Sequence, residues 1–175
     1  MISALTETYD MDNIDFKGFA APPNDPSIFF SAVTTNGENL LCSMDVELSS
    51  ALETFMGNLQ ARVTIDDVYA NANLRELEKQ CIINFQQLPV YTKQDVRPLF
   101  YNDLITLKLK AKKTGEWVFT TNDKQFTPVK PLKMVAGAKF TVVFTPGFYY
   151  SDTHCGVYMT LKTVNFAKQT KSVKK

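Results

Sequence analysis

Apolar and basic side chains alternate along residues 105–113, with Ile105, Leu107, Leu109 and Ala111 at one parity and Lys108, Lys110 and Lys112 at the other. A strand with that period packs one face and turns a row of positive charge outward. Trp117-Val-Phe-Thr-Thr121, a turn-like Asn122-Asp123 and Phe126 follow, then two long apolar-rich runs, Lys139 to Tyr150 and Gly156 to Phe166. The stretch from Asn102 to Ala167 therefore predicts a β-meander carrying lysines and aromatic rings. Within its first long run, alternation puts Phe140, Val142 and Phe144 together on the core face.

Upstream, Ile28-Phe-Phe-Ser-Ala-Val33 is β-branched and aromatic, Asn36-Gly37 is a two-residue turn signal, and Leu40 to Val46 continues as a returning strand. This predicts a first hairpin over 27–46, in which core packing outweighs a stacking role for Phe29 or Phe30. From Ser49 the period changes. Leu52, Phe55, Met56, Leu59 and Val63 recur at helical spacing behind a Ser/Glu start signal, predicting an amphipathic helix over 49–63. Asp66 and Asp67 are good caps, and Asn73 suits the cap of a further short helix from Leu74 to about Cys81, before the break at Pro89. Residues 91–101, with Lys93, Arg97 and Pro98, read as an extended connection.

With 175 residues, 45% hydrophobic and 12% aromatic, the chain suits one folded unit. The expected organisation is an acidic arm over 1–26, bearing Glu7, Asp10, Asp12 and Asp15, a β-domain over 27–167 and a basic tail over 168–175. No run approaches the roughly 18 apolar residues of a membrane span, and the first thirty residues lack a secretory leader. A soluble, intracellular protein with no membrane partner is expected. Charge is divided along the chain: residues 1–90 carry 4 Lys+Arg against 13 Asp+Glu, a balance of −9, while residues 91–175 carry 15 against 5, a balance of +10. Such asymmetry points to a polyanion-facing half, or to halves that neutralise one another within the fold or between subunits of a homodimer joined through arm or tail.

Catalytic chemistry finds little to work with. The single histidine, His154, adjoins Cys155, and neighbours on a strand face opposite ways, which separates a nucleophile from its base. Cys42, Cys81 and Cys155 are far apart and odd in number, suiting buried thiols better than disulfides or a metal shell. The seven glycines form no phosphate-cradling loop, and Asp66-Asp67 reads as a helix cap before a cation pair. The expectation is a non-enzyme with no cofactor and no metal.

Lysines interleaved with rings are what remains, and they suit unpaired nucleic acid. Cations follow the phosphates, and flat side chains stack the bases at about 1–3 kcal/mol each. Lys108, Lys110, Lys112, Lys113, Lys130, Lys133, Lys139 and Lys162 are candidate phosphate partners. Trp117, Phe119, Phe126, Phe148, Tyr149, Tyr150 and Tyr158 are candidate stackers, with Trp117, Tyr149 and Tyr150 favoured for coupling a π-face to a polar edge near a loop.

The order hairpin, helical insertion, Leu-Lys-Leu-Lys strand, polar turn with Trp117, Phe148-Tyr-Tyr150 and a closing Gly156-Val-Tyr-Met-Thr-Leu-Lys-Thr-Val164 resembles phage and large-DNA-virus single-stranded DNA-binding proteins with an OB fold. The likeness spans residues 28–167. It implies an all-β core, a five-stranded Greek-key barrel with one or two helices between early and late strands, gripping single-stranded DNA in a positive groove. It further implies a protein that coats unpaired DNA with little sequence preference during replication or recombination, in the host cytoplasm or nucleus, and that recruits replication proteins through an acidic C-terminal tail. This chain departs there: its end, from Lys168 to Lys175, is basic, and its acids lie at the other end. The competing reading is a viral structural or assembly β-protein whose acidic arm docks on a neighbouring subunit. Rings and lysines do not sense a 2′-hydroxyl, so DNA and RNA are both admitted.

Overall fold

The computed structural model describes residues 3–4, 13–50, 53–55, 58–109 and 136–166, with the backbone alone at 3, 4, 54, 55, 58, 59, 108, 109 and 163–166. Its strands are β1 (Ser3–Ala4), β2 (Ile14–Phe16), β3 (Phe29–Thr35), β4 (Glu38–Asn39), β5 (Cys42–Leu48), β6 (Glu53–Phe55) and β7 (Asn58–Thr64). The helix α1 (Val68–Gln86) comes next, then β8 (Asp95–Val96), β9 (Phe100–Tyr101), β10 (Leu104–Leu109), β11 (Lys139–Tyr150) and β12 (His154–Phe166). The fold is mostly antiparallel β, a curled sheet of half-barrel form with one helix among the described residues.

The spine of the sheet is β11. One edge of it pairs with β12 along nearly the whole length, and the other edge is shared. Residues Lys139 to Phe144 pair with β5, whereas Gly147 to Tyr150 pair with β3. Pro146, opposite Met159 in the β12 ladder, falls in the gap between those two partners, where a missing amide proton interrupts neither the β3 nor the β5 pairing. Both apolar runs of the sequence thus form strands, and Phe140 and Phe144 are buried as alternation requires.

The first hairpin differs from expectation in its second strand. Asn36 and Gly37 hold φ of 51° and 81°, the left-handed pair that a two-residue turn demands, and β4 returns against β3. Pairing stops after two residues. The chain then crosses to β11 as β5, with Cys42, Met44, Val46 and Leu48 buried and Asp45 and Glu47 outward.

The helix expected over 49–63 is instead the β6–β7 hairpin, in which Glu53 faces Gln60. Ala61, Val63 and Ile65 are buried in alternation, and a four-residue apolar spacing satisfies a strand as well as a helix. The helix begins at the cap instead. Asp67 Oδ1 accepts the Ala70 amide at 2.8 Å, and α1 continues through the stretch where a short helix from Leu74 was expected. Its buried stripe is Ala70, Leu74, Leu77, Cys81 and Phe85, at spacings of three and four.

Phe85 anchors that stripe in an aromatic cluster. Its ring lies 5.0 Å from Phe148 and 5.2 Å from Tyr150, while Phe16 lies 5.2 Å from Phe148 and Phe29 stacks on Tyr150 at 5.1 Å. Burial of each such side chain stabilises the fold by roughly 1.5–3 kcal/mol. The region expected as an arm contributes here as well: β2 pairs with β3, Ile14 is buried, and Asn84 Nδ2 donates to the Ile14 carbonyl at 2.5 Å. Phe16 and Phe19, partly buried, pack against the core beside Ile14, while Asp15 and Lys17 point outward. Among the described residues no helix is long and apolar enough to cross a membrane.

Candidate nucleic-acid interface

With α1 covering one face, β3, β11 and β12 turn their other face outward. Register places Tyr149 between Phe30 on β3 and Gly156 on β12, and Gly147 between Ala32 on β3 and Tyr158 on β12. Each tyrosine therefore faces a glycine across the β11–β12 ladder. Each ring also leans over the glycine it faces. A Cβ at Gly147 would meet Tyr158 Cζ at 2.2 Å, and one at Gly156 would meet the Tyr149 ring at 3.3 Å. Two strand glycines, unfavourable for the strands themselves, leave the backbone bare for rings to lie across.

Phe30 completes the group, with its ring centroid 6.4 Å from Tyr149 and 5.5 Å edge-on from Tyr158. It is 37% exposed, so the core reading of this residue is corrected: Phe29 turns inward and Phe30 outward. Partial burial raises the phenol pKa of Tyr149 and of Tyr158, with Arg97 opposing the shift at Tyr149. Both hydroxyls are neutral donors near pH 7. Three partly exposed rings on a sheet face offer stacking surface without sequence preference.

The hairpin end of this face carries a polar cluster. Arg97 Nη2 lies 3.0 Å from His154 Nε2, and Thr153 Oγ1 lies 2.7 Å from His154 Nδ1. A guanidinium only donates, so Nε2 accepts and the imidazole proton sits on Nδ1, toward Thr153. Parallel pairing of β8 with β12 brings Arg97 here, fixed by its amide to the Cys155 carbonyl at 2.8 Å. His154 and Cys155 do face opposite ways, Cys155 being buried. Burial, with Glu78 adding, pushes the Cys81 thiol up to about 12, which leaves it inert. Among the described residues no three of His, Cys, Asp and Glu gather as a metal shell.

Two further cations are engaged by carboxylates. Lys139 lies 3.7 Å from both Glu47 and Asp66, at the opposite end of the outer face, where Asp45 also accepts the Thr141 hydroxyl. Arg62 meets Glu53 at 3.3 Å. Lys162 is exposed beside the β-bulge of the β11–β12 ladder, and Lys108 stands opposite Gln60 in the β10–β7 register.

Of the expected stackers, then, Tyr149 and Tyr158 come together. Tyr150 faces the other way into the aromatic cluster, and Phe148, fully buried, is core. The reason is parity: successive strand residues alternate faces, and α1 packs on that of Phe148 and Tyr150. Lys110, Lys112, Lys113, Trp117, Phe119, Phe126, Lys130 and Lys133 lie outside the described residues. Sequence reasoning weighed Phe30 as a stacker but favoured the core for it, and passed over Arg97 as part of an extended connection. Glycines inside two strand-like runs signalled a close approach, whereas nothing local signalled Arg97.

The chain matches no protein-family model, no curated protein and no solved structure.

Proposed function

We propose that this protein binds single-stranded DNA without catalysis, coating unpaired strands during replication or recombination with little sequence preference. The observation that carries the reading is the outer platform of Phe30, Tyr149 and Tyr158, whose two tyrosines lie across strand glycines. Unpaired bases stack on such rings, and duplex bases, already stacked on one another, do not.

Strand order supports the finer reading of the fold as a five-stranded barrel of OB type. The order β10–β7–β5–β11–β12, with β10 running close to β12, agrees with the order expected of a partly open Greek-key barrel. On that reading β7 and β10 are the second and third barrel strands, whose face commonly holds oligonucleotides, and Lys108 lies on β10. Viral or phage origin rests on the sequence resemblance.

A fluorescence-anisotropy titration of labelled oligo-thymidine, the matching duplex and the matching RNA at two salt concentrations tests the function. Expected are preference for single strands, affinity falling with salt, and a loss of about 1–3 kcal/mol for each of Y149A and Y158A. Equal affinity for duplex, or none for any oligonucleotide, overturns it; regular self-assembly with no oligonucleotide affinity would favour the assembly protein instead.

A further inference from the structure

All three arginines of the chain lie among the described residues, and two of them are spoken for by carboxylates. Arg62 meets Glu53 at 3.3 Å and Arg75 meets Asp103 at 2.8 Å, with its guanidinium also 3.9 Å over the Phe100 ring. Arg97 is different. It meets His154 Nε2 at 3.0 Å and, among the described residues, no carboxylate within ion-pair distance. The acids of the same end, Asp95 and Asp152, are exposed and make no ion pair with it.

The placement of this uncompensated charge follows from two anchors. The Arg97 amide donates to the Cys155 carbonyl, and Glu78 accepts the Leu99 amide two residues on, while the Arg97 carbonyl closes over Gly156, 2.8 Å from where a Cβ would stand. Gly156 is thus covered on one side by the Arg97 backbone and on the other by the Tyr149 ring. His154, held in turn by Thr153, occupies one N–H of the guanidinium and leaves the rest of its fork unassigned. A guanidinium fork matches two phosphate oxygens in one plane, which an ammonium does not.

We propose that Arg97 is the phosphate clamp of the platform: it grips the phosphodiester adjoining the nucleotide whose base lies on Tyr149. His154 acts as its positioning residue. This rests on the stacking function above and adds the place where the backbone of the strand is held. Charge and ring then divide the work, the salt-dependent part of binding at this end belonging to Arg97 and the salt-independent part to Tyr149.

The experiment is the slope of log affinity against log salt for oligo-thymidine, measured on the full chain and its variants. Replacing Arg97 by Ala should weaken binding roughly tenfold or more and reduce the slope by about 0.7, one phosphate's share on a single strand. R97K should keep the slope and lose affinity with the fork. Y149A should lose affinity at unchanged slope. H154A should lose about threefold at unchanged slope, with H154Q, whose amide oxygen also accepts, recovering part of it. Circular dichroism confirms folding of each, since the Arg97 anchors are backbone groups. If the native protein binds and R97A keeps its full slope, the clamp is wrong and the platform stands; if H154A equals the native protein, His154 positions nothing. If the native protein binds no oligonucleotide, both fall.

Discussion

A methyl group at Gly147 would stand 2.2 Å from Tyr158 Cζ and 2.5 Å from its hydroxyl, the far end of a side chain that is able to swing. G147A should therefore fold, lift Tyr158 off the sheet and lower oligonucleotide affinity about as much as Y158A does, read by anisotropy. At Gly156 the obstacle is different, the Arg97 carbonyl at 2.8 Å. Backbone yields less readily than a ring, so G156A should cost about 1–3 kcal/mol in a urea melt and displace the arginine as well. Glu78 offers a pH readout. Burial, the largest influence, raises its pKa, against the Leu99 amide and Arg75. The folded state therefore favours the protonated acid; that contribution is full below the ordinary carboxyl range and lost as pH rises through the raised value. E78Q, which keeps an acceptor for Leu99, should gain in melting temperature relative to the native protein as pH rises above the ordinary carboxyl range.

Elements here are set by signals of unequal reach. A side-chain cap acts within one turn, and Asp67 both was legible as a cap and serves as one. Replacing it by Ala should cost about 1 kcal/mol, visible as a lower urea midpoint at unchanged slope. The hairpin turn at Asn36-Gly37 is equally local. Apolar spacing in the stretch 49–63 was not decisive, because Leu59 and Val63 are four apart and four is a multiple of two. What made it a hairpin is the buried alternation of Ala61, Val63 and Ile65 against β5 and β10. Phe85 is where α1 commits to the sheet. F85A removes the ring shared by Phe19, Tyr91, Phe148 and Tyr150 and should destabilise by about 3–5 kcal/mol, measured by chemical denaturation.

At the level of the whole molecule, the charge division along the chain is partly cancelled by folding. Lys139 from the basic half meets Glu47 and Asp66 from the acidic half, so K139A should leave the salt slope of binding unchanged. Such an exposed pair contributes at most about 1 kcal/mol, and melting should shift little. Neutralising Lys108, Lys110 and Lys112 together should flatten the slope by about 2 if all three meet phosphates, with the melting temperature as control. A slope left intact removes that strand from the binding path. The acids of β5 and the rings near the β11–β12 hairpin stand at opposite ends of one outer face.

From the amino-acid order alone came what depends on near neighbours: the extents of β11 and much of β12, the inward parity of β10, the Asn36-Gly37 turn and the Asp67 cap. Two-residue alternation and capping act over a few residues, and the chain carries them wherever it folds. At the hairpin end of β11, where both faces carry rings, only the folded chain decided which face is buried, because α1 packs on Phe148 and Tyr150 and leaves Tyr149 outside. The sharing of β11 by β3 and β5, and the delivery of Arg97 to the rings through β8, likewise depend on pairings between segments distant in sequence. Such pairings are chosen by the burial and hydrogen bonding of the whole sheet, a sum over residues that no short stretch contains.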